Sequence, residues 1–239
     1  MTRTKICGIT RLNDALHASS EGVDALGFNF SRKSPRSITP SAAKKIIDEL
    51  PPFVSKVGIF VEQSPAEIAD ICSYSKIAVA QLHSERYSAA DARFLKDMVQ
   101  VIRVFRPDGS FSPQSLTPFA EESGVRTFLF DAYKEGMEGG TGEEIETSVA
   151  RQIFPAEGAP FFRVLAGGLN PGNVAEAIRQ FRPYGVDTAS GVEAKPGIKD
   201  PEKYQPFCLP SGLPISPEPW NRRQGAPISA LKRFPAAQA

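Results

Sequence analysis

Short apolar runs and longer amphipathic stretches alternate along most of this chain. The apolar runs cover 5–7, 25–30, 57–61, 77–82, 101–105, 127–130, 162–165 and 185–187. They are rich in Val, Ile and Phe, and most lack strict polar alternation, so they predict strands covered on both faces, as in a parallel sheet. Helical spacing of apolar residues appears between them, over 42–47, 66–72, 89–98 and 174–181. Four connections carry start signals. Thr39-Pro40, Ser64-Pro65, Asn170-Pro171 and Asp200-Pro201 each set a capping side chain before a proline. Proline suits a first helical position, where its missing N–H loses no bond. Ser64 and Glu67 also have capping-box spacing.

Strand followed by helix, repeated about eight times over about 200 residues, predicts an α/β fold of one domain, a (βα)8 barrel. A doubly wound open sheet is the alternative, but no nucleotide fingerprint follows the first strand. The pattern changes near Gln205. Seven prolines fall between Pro206 and Pro235, with Ser, Gly and Arg among them. An eighth helix starting at Asp200-Pro201 should therefore be cut short by Pro206. The expected organisation is a barrel over 1–205 and a Pro-rich irregular tail over 206–239.

Composition narrows the function. The chain has 239 residues, 41% hydrophobic and 23% charged, with a formal net charge of +1. This balance offers no bulk electrostatic case for nucleic acid or an anionic membrane. No apolar run is long enough to span a bilayer, and the first residues lack the apolar core of a signal peptide. Three cysteines, at 7, 72 and 208, lack metal-ligand spacing and suit a reducing compartment. The expectation is a cytoplasmic enzyme of a small-molecule substrate, with no metal, nucleic-acid or membrane partner.

The candidate chemistry sits at strand ends, the catalytic face of such barrels. Cys7 closes the first run before Gly8. Asp131 closes the sixth, ahead of a glycine-rich stretch over 136–142 that could form a lid. Gly167-Gly168 and Ser190-Gly191 follow the seventh and eighth runs, where barrels often hold phosphate with backbone N–H groups. His83 ends the fourth run, two residues after Gln81. Asp187 lies in the eighth, and Arg36 lies in the loop after the second. Alone, each residue also has an ordinary reading: a buried thiol, a turn aspartate, a tight turn or a solvated arginine.

Together these blocks resemble the phosphoribosylanthranilate isomerases of tryptophan biosynthesis, from about residue 3 to residue 203. The matching blocks are Lys-Ile-Cys-Gly-Ile-Thr at 5–10, Gly-Phe-Asn-Phe…Ser-Pro-Arg at 27–36, Val-Gly-Ile-Phe-Val at 57–61 and Gln-Leu-His at 81–83. They continue with Asp131 and Gly-Gly-Thr-Gly at 139–142, Ala-Gly-Gly-Leu-Asn at 166–170, and Ser-Gly-Val-Glu…Pro-Gly-Ile-Lys-Asp at 190–200. The resemblance implies a (βα)8 barrel that performs an Amadori rearrangement without a cofactor. It implies that Asp131 is the general acid that opens the sugar ring and Cys7 the base that takes the C2 proton. Arg36 would hold the anthranilate carboxylate, with Gln81, His83 and Asp187 also binding substrate. Gly167, Gly168, Ser190 and Gly191 would cradle the phosphate. Ser84, Arg103 and the Thr188-Ala189 pair depart from the family pattern, as does the tail. Another sugar-phosphate barrel enzyme, or an impaired barrel that only binds phosphorylated ligand, are the alternatives.

Overall fold

A computed structural model describes residues 2–108, 110–132, 147–154 and 160–208. Eight strands alternate with helices: β1 (Arg3–Cys7), α1 (Leu12–Ser20), β2 (Ala25–Asn29), α2 (Pro40–Ile47), β3 (Ser55–Phe60), α3 (Pro65–Ser75), β4 (Val79–Leu82) and α4 (Ala89–Lys96) lead. Then come β5 (Gln100–Phe105), α5 (Leu116–Ser123), β6 (Thr127–Phe130), α6 (Thr147–Ile153), β7 (Phe162–Leu165), α7 (Val174–Phe181), β8 (Gly185–Thr188) and α8 (Tyr204–Cys208). A two-stranded hairpin, β9 (Glu193–Lys195) with β10 (Ile198–Lys199), separates β8 from α8. The eight strands are parallel and neighbour one another in chain order. β1 pairs with β8, from Arg3 opposite Gly185 to Ile6 opposite Thr188, and closes the barrel. The expected architecture is the one observed.

Period-two alternation divides the core. Ile6, Leu26, Phe28, Phe60, Leu82, Phe128 and Phe130 are fully buried beneath the helices, in one large cluster. Their strand neighbours turn inward. Val104, Leu129, Val164 and Ala166 form a second, small apolar cluster. On β1, β4 and β8 the same inward face instead carries Lys5, Gln81 and Asp187, all buried. The barrel interior is therefore apolar along β5–β7 and carries buried polar groups on β8, β1 and β4.

Two local expectations need correction. Asn170-Pro171 does not start α7, which begins at Val174 behind Asn173. The Asn170 side chain accepts from Gly172 N at 2.8 Å and so builds a turn instead. Pro206 is expected to end the eighth helix, yet the described helix runs through it to Cys208. Pro206 falls in its first turn, where backbone N–H groups have no intrahelical partner to lose. α8 buries Tyr204 and Phe207 completely. The Tyr204 hydroxyl donates to Asp14 O at 3.3 Å, and its ring meets His17 edge-on at 5.4 Å. These aromatics cover the α1 side of the β1–β8 seam, and the packed chain reaches Cys208. The glycine-rich stretch over 136–142 and the tail from 209 onward lie outside the described residues. Among the described residues, no helix is long and apolar enough to cross a membrane.

Candidate active site

A closed parallel barrel brings all eight strand ends to one rim. Cys7 ends β1, Asp131 directly follows β6, His83 directly follows β4, and Arg36 lies between β2 and α2. Gln81 and Asp187 stand within β4 and β8, one layer below.

The β4–β6 side holds an acid and an uncharged imidazole. Asp131 is 8% exposed. Its Oδ1 accepts from Ala132 N at 3.0 Å, and its Oδ2 lies 3.5 Å from His83 Nε2. Burial, reinforced by the Asp187 carboxylate, pushes the Asp131 carboxyl up to about 6. Burial, with Arg106, Lys5 and Arg103 adding repulsion, pulls the His83 imidazole down to about 3. His83 is therefore neutral. Gln81 Nε2 lies 3.4 Å from His83 Nδ1, and His83 Nε2 is the nitrogen facing Asp131. Arg106 fixes the loop by donating to His83 O at 2.7 Å. Three buried atoms here find no hydrogen-bond partner among the described residues: Gln81 Oε1, His83 Nε2 and Asp187 Oδ1. Native interiors rarely leave such atoms unpaired, so a polar ligand is the natural partner.

The β1–β8 side is dense in charge. Lys5 Nζ meets Asp187 Oδ2 at 2.8 Å, with both side chains almost fully buried. Burial opposes the charged Lys5, but Asp187 and Cys7 together hold its ammonium above the usual value. Burial pushes the half-buried Cys7 thiol up; Lys5, Lys199 and Arg36 pull it down, and Asp187 adds to the rise. Arg36 is not a solvated loop residue. Its Nε and Nη2 grip Glu193 in a fork at 2.9 and 2.8 Å. Glu193 also accepts from Lys199 Nζ at 2.9 Å and Gly197 N at 3.2 Å. Lys199 Nζ donates in addition to Ala189 O, the carbonyl just before Ser190. Sequence reasoning assigned no role to Lys5, Glu193 or Lys199. The available signal for Lys5 was a lysine two residues before Cys7, hence on the same face of a buried strand.

The two glycine loops are joined. Gly167 and Gly168 have φ of 84° and 65°, a region that disfavours other residues. Asn170 and Asn173 side-chain amides both donate to Gly168 O, at 3.1 and 3.0 Å. Thr188 Oγ1 donates to Leu169 O at 2.6 Å, tying the end of β8 to the loop after β7. A Cβ on Gly191 would collide with that same Leu169 oxygen and stand 2.7 Å from Thr188 Oγ1. Gly191 is thus required by the contact between the loops. Gly167, Gly168, Ser190 and Gly191 converge on one corner of the rim.

Comparison with known proteins places this chain among isomerases. The family model described as N-(5'phosphoribosyl)anthranilate (PRA) isomerase matches residues 4–208. The N-(5'-phosphoribosyl)anthranilate isomerase of Chlorobium phaeovibrioides is 95% identical over 217 residues, 91% of this chain and all of the relative. That of Pelodictyon phaeoclathratiforme is 58% identical over 207 residues, 87% of this chain and 96% of its own. The crystal structure of phosphoribosyl anthranilate isomerase from Thermus thermophilus superposes with a TM-score of 0.76 at 36% identity, covering 86% of this chain and 96% of that one. A second solved isomerase holds reduced 1-(o-carboxyphenylamino)-1-deoxyribulose 5-phosphate, with a TM-score of 0.73 at 36% identity and coverage of 87% and 97%. With the acid, the thiol and the glycine corner on one rim, this chain belongs to the N-(5'-phosphoribosyl)anthranilate isomerase family.

Proposed function

We propose that Asp131 and Cys7 are the general acid and general base with which this chain isomerises N-(5-phosphoribosyl)anthranilate to 1-(2-carboxyphenylamino)-1-deoxyribulose 5-phosphate in tryptophan biosynthesis. Protonated Asp131 gives its proton to the furanose ring oxygen as the bond from that oxygen to C1 breaks. The nitrogen lone pair forms C1=N⁺. Ionised Cys7 then takes hydrogen from C2; the C–H electrons form C1=C2, and the iminium electrons return to nitrogen. The resulting enolamine loses its O2 proton and gains one at C1, which leaves the ketone. Proton transfers alone complete this rearrangement, without an electron acceptor.

The observation that carries this reading is the buried Asp131 just after β6, its carboxyl pushed up to about 6, on the same rim as Cys7 at the end of β1. A general acid works best with a pKa near the working pH. Arg36 keeps Nη1 for the anthranilate carboxylate while Glu193 fixes its other edge. The unpaired atoms of Gln81, His83 and Asp187 suit sugar hydroxyls, and the glycine corner suits the 5-phosphate. We also assign the reaction to the cytoplasm, where three free thiols stay reduced. The test is turnover of N-(5-phosphoribosyl)anthranilate by the purified chain. Conversion to the aminoketose is expected; binding without conversion would favour an impaired barrel that only holds phosphorylated ligand.

A further inference from the structure

Cys7 can act as a base only as thiolate, yet burial works against that charge. The groups around it are unusually balanced. Lys5 faces Cys7 from the same face of β1, Asp187 from β8, Lys199 from β10 and Arg36 from the loop after β2. Glu193 is bound to both Arg36 and Lys199. Among these five neighbours, three cations stand against two carboxylates, so one positive charge lacks a partner. Arg36 and Lys199 share Glu193, and Lys5, two residues before Cys7 on the same face of β1, pairs with Asp187 at 2.8 Å. Ionising the thiol makes the cluster neutral. Asp131 is repelled by Asp187 and attracted by Lys5, and His83 is repelled by Lys5.

We propose that Lys5 is the positioning residue that holds Cys7 as thiolate, with Asp187 competing for the same ammonium. This rests on Cys7 being the base, and it explains why a lysine is kept inside the barrel. The ammonium supplies the charge that a buried thiolate needs and keeps its own proton throughout. When Cys7 takes the C2 hydrogen, the thiolate disappears and Lys5 relaxes fully onto Asp187. The pair therefore lets the thiol change charge without leaving any carboxylate unpaired.

The test is the ionisation midpoint of Cys7, read from thiolate absorbance and from the pH dependence of iodoacetamide alkylation. Cys72 and Cys208 do not interfere, because burial pushes both thiols up to about 12; Cys7→Ser supplies the blank. Lys5→Met alone would strand a buried carboxylate and could unfold the barrel. The informative comparison is therefore Asp187→Asn against Lys5→Met/Asp187→Asn, which leaves no unpaired acid. Asp187→Asn should lower the midpoint below the wild-type value. Adding Lys5→Met should raise it again and slow alkylation near neutral pH by about tenfold or more, the usual effect of removing an adjacent cation. Equal midpoints in the two variants would overturn the proposal, as would a raised midpoint in Asp187→Asn. The titration reads the thiolate without turnover. Failure of Cys7 as the base would show instead as retained activity in Cys7→Ser.

Discussion

Replacing Asp131 by asparagine should stabilise the protein at neutral pH while disabling it. The carboxyl is 8% exposed and titrates near about 6 in the fold, against about 3.9 in an unfolded chain. A raised carboxyl pKa means that the folded state binds the proton more tightly. Stability is therefore highest below the unfolded pKa, falls as pH rises between the two values, and stays low above the folded one. The full cost of ionising Asp131 is about 3 kcal/mol, of which about 2 kcal/mol falls between pH 4.5 and 7.5. Asparagine keeps the shape and the acceptor for Ala132 N but has no proton to lose. Buried His83 has the opposite sign: its folded pKa of about 3 lies below the ordinary value, so it favours unfolding as pH drops below about 6.5. The two slopes oppose one another in the wild-type protein, and the difference between proteins is the readable quantity. Urea unfolding followed by far-UV circular dichroism at pH 4.5 and 7.5 supplies it. Asp131→Asn should gain about 2 kcal/mol on wild type between these pH values. Parallel stability curves would refute the raised pKa and with it the acid poised for neutral pH.

Other changes test other parts of the site. Arg36→Met should raise KM far more than it lowers kcat, because a charged paired contact made before and during reaction is worth about 1.5–3 kcal/mol; steady-state kinetics would show the split. Gly191→Ala should force apart the loops after β7 and β8, costing about 1–3 kcal/mol of stability and weakening inorganic phosphate as a competitive inhibitor. Phe207→Ala should cost about 3–5 kcal/mol in urea unfolding, since its ring is fully buried; a near-neutral result would mean that α8 does not seal the seam.

The strands were legible because each is covered on both faces and reads as an unbroken apolar run. Cys7, Asp131 and the glycine pairs were legible because they end such runs. What local sequence does not carry is which partner each charge takes. The Lys5–Asp187 pair joins residues 182 positions apart, through the register of barrel closure. Arg36 similarly finds Glu193 across 157 positions. The Asn170-Pro171 signal was chemically sound yet misplaced α7, because the Asn170 side chain serves Gly172 and Gly168 instead. Pro206 reads as a helix breaker only if the helix already has a turn behind it. Here α8 starts at Tyr204, so the same proline is harmless.

The central claim is that Asp131 and Cys7 move protons rather than hold substrate. Its most direct measurement compares single-turnover rates with product affinity in wild type, Asp131→Asn and Cys7→Ser. Each substitution should lower the rate by about 10²–10⁴-fold, the usual contribution of one acid or base, while product affinity stays within a few-fold of wild type. A rate near wild type in either variant, or a loss of affinity matching the loss of rate, would contradict the assignment.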